Sequence, residues 1–119
     1  MNLYDLIPLG AIPPGNAHAD RPVTVRLHDS PDARLVLFHF EPGQEVPVHT
    51  STSTVTLTVV EGSLTLVSAS GEHPAERGAV AVYEPREPHG MRATSGRALL
   101  LATITPRPGE RHATTPTAV

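Results

Sequence analysis

The chain has 119 residues, a formal net charge of −3 and no cysteine; it is one domain with a single core, without disulfides, thiolate ligands or cysteine nucleophiles. No Lys/Arg run marks a nucleic-acid surface, and no apolar run approaches the ~20 residues that span a bilayer. The thirteen prolines and nine glycines leave little room for a long helix, and the Val-, Leu- and Thr-rich runs between them give an all-β pattern.

Residues 1–20 are apolar but broken by Pro8, Pro13-Pro14 and Gly15, which predicts an arm or short edge strand over one end of the core. They lack the basic start and long apolar stretch of a signal peptide, so the expected location is cytoplasmic. The barrel is expected over 21–104. Pro22 to His28 alternates, Ser30-Pro31-Asp32 forms a turn, and Arg34 to Phe40 is continuously apolar, as a strand covered on both sides would be. Glu41-Pro42-Gly43 turns the chain. Thr54 to Val59 puts Val55, Leu57 and Val59 on one face and three threonines on the other. Glu61-Gly62-Ser63 leads tightly into Leu64 to Val67, read as its hairpin partner. Ala79 to Tyr83 and Arg97 to Ile104 add two strands, and 105–119 reads as a loose tail. Many short antiparallel strands in one domain predict a closed barrel or jelly roll, which removes exposed edges.

Two glycine-bracketed segments each carry a histidine. The first runs Glu41-Pro42-Gly43-Gln44-Glu45-Val46-Pro47-Val48-His49 and continues to Val59-Val60-Glu61-Gly62; the second runs from Gly78 through Tyr83-Glu84-Pro85-Arg86-Glu87-Pro88 to His89. Together they resemble the two motifs of the cupin superfamily over roughly Arg34 to Ile104. Gly43, His49 and Gly62 fall in register with the first motif, and Gly78 and His89 with the second. Ser51 stands where that motif has its second histidine and Val55 where it has its glutamate. Glu84, Arg86 and Ala93 replace the proline, glycine and asparagine of the second.

The resemblance implies a single-domain cupin-type β-barrel (a double-stranded β-helix or jelly roll), with a pocket at His49, Ser51, Val55 and His89. In family metal sites, three imidazoles and a carboxylate hold Fe, Mn, Ni or Zn. His49 and His89 are the metal-ligand candidates that remain, with Glu45, Glu84 or Glu87 as sources of a third donor. The leading expectation is a barrel that binds a small organic molecule. The alternatives are a metal-dependent oxygenase or isomerase with an altered ligand set, and a metal-free enzyme using a histidine as general base, for which no acid is assigned, since Tyr83 on a barrel strand is more often core. A Ser51–His49 nucleophile lacks an orienting acid and an oxyanion-hole motif. His39 falls opposite Phe38 and Phe40, on the outside or at an interface. His28 ends a strand, His73 sits in a turn, and His18 and His112 lie in the arm and tail. The threonine stripe and the Leu3-to-Ile12 arm fit a homodimer contact, since cupins commonly pair in this way.

Overall fold

The structure is a computed structural model that describes residues 1–11 and 20–109. Pro13-Pro14, Gly15, His18 and His112 lie outside the described residues. The strands are β1 (Val23–Asp29), β2 (Arg34–Phe40), β3 (Glu45–His49), β4 (Thr54–Glu61), β5 (Ser63–Ser68), β6 (Gly71–Glu76), β7 (Val80–Tyr83), β8 (His89–Arg92) and β9 (Ala98–Thr105). They form a five-stranded sheet in the order β1-β2-β9-β4-β7 and a four-stranded sheet in the order β3-β8-β5-β6, with every pairing antiparallel. None of the described helices is long and apolar enough to cross a membrane.

The two sheets enclose the core. The period-two face of β4 supplies Val55, Leu57 and Val59, and β9 supplies Ala98, Leu100 and Ala102. Leu64, Leu66, Ala75 and Met91 complete the cluster from the smaller sheet. Burying each Val or Leu of this set is worth about 1.5–3 kcal/mol. The threonines of β4 fall on its opposite face, where they are half-buried.

The arm is a short helix, α1 (Leu6–Gly10), in place of the edge strand expected there. Its apolar residues do not alternate, and Pro8 is tolerated within a first turn. Leu6 and Leu9 cover Leu27, Leu37 and Leu99 on the outer face of the larger sheet, which is why β2 reads as apolar on both sides. His39 does face outward, but α1 buries it. Its Nδ1 meets the Gly10 carbonyl, its Nε2 lies 2.9 Å from Glu41 Oε2, and Arg97 Nε donates to Glu41 Oε1 at 3.0 Å. The His39 hydrogen bond, seconded by Arg97, holds the Glu41 carboxyl below its usual value.

Three further expectations are corrected. The strands β4 and β5 are not hairpin partners, because Gly62 carries the chain from one sheet to the other. His73 belongs to β6, an exposed edge strand whose polar sequence and Pro74 gave little strand signal. The start of the supposed loose tail is tied down. Ser53 Oγ donates to the Pro106 carbonyl at 2.6 Å, and the Arg107 amide donates to that of Pro31 at 3.2 Å.

Gly62 has φ +73, and a Cβ built there would lie 2.2 Å from the Arg97 carbonyl oxygen. Left-handed strain and overpacking against backbone together cost about 3 kcal/mol. Gly62→Ala is expected to lower the urea midpoint well beyond Gly71→Ala, where φ is +122 but nothing lies within 4 Å. Equal losses in the two variants would refute the close-approach argument.

Candidate functional site

The site begins with a register shift. Val46 pairs with Met91 and His49 pairs with His89, so β3 spends three residues where β8 spends two. Strict alternation from Val46, which lines the cavity, would point Val48 inward. The extra residue turns Val48 outward, where it is 53% exposed, and brings His49 opposite His89. The ring centroids are 4.2 Å apart with an interplanar angle of 61°.

Both imidazoles are oriented by backbone. His49 Nδ1 lies 2.9 Å from the Pro47 carbonyl, and His89 Nδ1 lies 3.1 Å from the Glu87 carbonyl. A carbonyl oxygen only accepts, so each Nδ1 carries the proton and donates it. Each Nε2 is left without a protein partner among the described residues. His49 is exposed at the mouth, whereas His89 is buried. Burial pushes the His89 pKa below its ordinary value, and neighbouring His49 adds to this. The Glu87 carbonyl and carboxylate oppose it.

The histidines open onto a cavity of about 380 Å³ that runs into the barrel. Its wall is apolar, formed by Phe38, Leu57, Met91, Ala102 and Ile104, with Val55 beside them. Thr50, Ser51 and Thr52 join the histidines at the rim, and among the described residues no Asp, Glu, Lys or Arg lines it. His49, Ser51, Val55 and His89 therefore share one cavity. The sequence marked Arg97 to Ile104 as a strand without assigning its faces, and nothing in it singled out Thr50, Thr52 or Pro108.

The other candidates do not complete a site with this pair. Tyr83 is buried in the core, tilted against His89 at 5.2 Å between rings, and its hydroxyl donates to the Val67 carbonyl at 3.1 Å. Burial, with the Glu87 charge, raises its pKa. Glu45 and Glu84 are exposed. Glu87 acts on His89 through its charge, but its Oε1 accepts the Glu84 amide at 2.9 Å. Among the described residues, no three His, Asp or Glu side chains gather to hold an ion.

The loop that precedes His89 is strained. Arg86, at the place of the motif's glycine, has φ 70 and is the one non-glycine residue described with positive φ. This conformation costs an L-residue about 1–2 kcal/mol. The Arg86 amide donates to the Ser51 carbonyl at 2.6 Å, which joins this loop to the cavity rim.

A family model for the cupin domain matches residues 36–105. Among solved structures, an RmlC-like cupin protein from Desulfovibrio desulfuricans is 32% identical, with TM-score 0.72 over 89% of this chain and 97% of that one. A protein from Thermus thermophilus is 26% identical, with TM-score 0.79 over 91% of this chain and 100% of that one. A sugar phosphate isomerase of the cupin superfamily from Silicibacter pomeroyi is 26% identical, with TM-score 0.64 over 72% of this chain and 60% of that one. No curated protein matches the chain.

The depressed His89 pKa has a defined signature. The unfolded chain takes up this proton at a higher pH than the native protein does, so the His89 contribution is fully present above pH 6.5. It is lost as pH falls from there to the lowered native value, and is constant below that. Urea midpoints measured from pH 8 to pH 5 for the native protein and His89→Gln should diverge over this window, with the variant the flatter. Parallel curves would show that the proton is not excluded from His89.

Proposed function

The chain belongs to the cupin family, and on that premise we propose that it binds a small organic molecule inside the barrel. The apolar body of the molecule lies against Phe38, Leu57, Ala102 and Ile104, and its polar end meets the Nε2 atoms of His49 and His89. One observation carries this reading: two imidazoles with Nδ1 committed to backbone stand at the mouth of an otherwise uncharged, apolar cavity. Hydroxyls at Thr50, Ser51 and Thr52 offer further hydrogen bonds to the same end.

The family's metal chemistry has an incomplete ligand set here. Two imidazoles are present, but Ser51 offers a neutral hydroxyl that already accepts the Ser53 amide at 3.0 Å, and Val55 offers no donor. These residues do not fit a resident ion held by the described protein groups alone. Nor does the activity named for the Silicibacter relative transfer readily. A sugar phosphate carries hydroxyls along its whole length, whereas the hydrogen-bonding groups of this cavity are gathered at the rim.

The test is a titration with N-phenyl-1-naphthylamine, an uncharged apolar fluorophore whose single N–H suits an imidazole acceptor. Saturable binding of one molecule per chain is expected. Ala102→Leu, which adds volume to the cavity wall, should weaken it about fivefold or more, on the basis that a few methylenes forced into a packed site cost over 1 kcal/mol. Absence of saturable binding, or equal binding by a folded Ala102→Leu protein, would refute the reading. Zn2+ titrated into the same protein should bind weakly, and His49→Ala should abolish that binding.

A further inference from the structure

We propose that Arg86 is the specificity-determining residue of this pocket, receiving the anionic group of a ligand whose apolar body occupies the barrel. The inference rests on the pocket reading above and narrows it to a class: amphiphiles with one carboxylate, sulfonate or phosphate group.

Four observations converge on it. The first is that Arg86 holds a left-handed backbone, φ 70, where glycine would fit without strain. Strain of this kind persists where the side chain or the conformation is useful. Second, its guanidinium has no ion pair among the described residues. Arg26, Arg34, Arg92, Arg97 and Arg107 each pair with a carboxylate, while Arg86, like Arg21 and Arg77, is exposed and does not; of these three, Arg86 alone has a backbone hydrogen bond to Ser51. Its neighbours Glu84 and Glu87 make no ion pair with it, and Glu87 is turned onto the Glu84 amide, although both keep their charge beside it.

The third observation is position. The Arg86 amide is fixed at 2.6 Å to the carbonyl of Ser51, a residue of the cavity rim. The Arg86 backbone is therefore held beside the rim, on a segment leading directly into His89, although its side chain does not line the cavity itself. Fourth, among the described residues no Asp, Glu, Lys or Arg lines the cavity. A ligand bearing a negative charge has to keep that charge outside the apolar wall, where a planar guanidinium can meet two of its oxygens at once.

The experiment compares two probes that differ only in an anionic group, 8-anilinonaphthalene-1-sulfonate and uncharged N-phenyl-1-naphthylamine. Each is titrated into the native protein, Arg86→Gly and Arg86→Lys. Arg86→Gly removes the guanidinium and suits the backbone, so its thermal midpoint should rise. The sulfonate should bind it about fivefold more weakly than the native protein, with a diminished salt dependence. Arg86→Lys keeps the charge without the fork and should fall between them. The uncharged probe should bind all three alike.

Unchanged sulfonate affinity in Arg86→Gly would overturn the proposal while leaving the pocket intact. An equal loss for both probes would also overturn it, by making Arg86 a purely structural residue of the loop. Failure of the uncharged probe to bind the native protein would overturn the pocket reading and this inference with it.

Discussion

Two hydrogen-bond acceptors that cannot satisfy each other govern this molecule's chemistry. His49 and His89 stand with ring centroids 4.2 Å apart, and each gives its Nδ1 proton to a carbonyl in its own strand or loop. In the neutral tautomer set by those bonds, each Nε2 presents a lone pair and no proton. Neither ring can donate to the other, so the pair is completed only by something that brings a donor or a positive charge. The proposed recognition role of these rings rests on that requirement. The burial that keeps His89 from taking its own proton preserves it.

The scaffold supports this arrangement from several directions. The larger sheet provides the cavity's back wall through β9 and β4, whose inward residues shrink from Leu100 to Ala102 and leave space near the mouth. The segment after β4 must cross at once to the smaller sheet, which holds β8, and Gly62 makes the crossing where any side chain would meet the Arg97 carbonyl. Ser53 binds the Pro106 carbonyl, so the loop carrying Thr50 to Thr52 is anchored to the end of β9. On the far side, α1 and the His39–Glu41–Arg97 cluster seal the outer face of the sheet. The seal protects a second, smaller apolar cluster and leaves the barrel interior free for the cavity.

Much of the fold was legible because its signals are local. The alternation in Thr54 to Val59 records one buried face, and the more continuously apolar run in Arg34 to Phe40 records cover on both. The family register placed His49, Ser51, Val55 and His89 around one space because motif spacing is a proxy for strand length. The unread parts depend on non-local geometry. The β3 bulge cannot be inferred from Pro47 and Val48, yet it decides which of two adjacent residues faces inward. A glycine at a sheet-to-sheet crossing looks in sequence like a hairpin glycine. The edge strand containing His73 buries little beyond Ala75 and so has almost no hydrophobic pattern to read.

The departures from the family motifs are coherent when taken together. Replacing a glutamate by Val55 removes a charge that would be expensive to bury without an ion beside it and extends the apolar wall. Placing Ser51 at the second histidine position leaves a short side chain whose oxygen caps its own loop through the Ser53 amide. Arg86 stands in the glycine position at the cost of backbone strain. The changes at positions 51 and 55 remove donors from the barrel interior. A metal centre needs the opposite arrangement, with anionic and imidazole donors converging in the interior. On the proposed reading, the scaffold without those donors takes ligands with an apolar body and a polar end, and the two remaining histidines sit at the boundary between those regions.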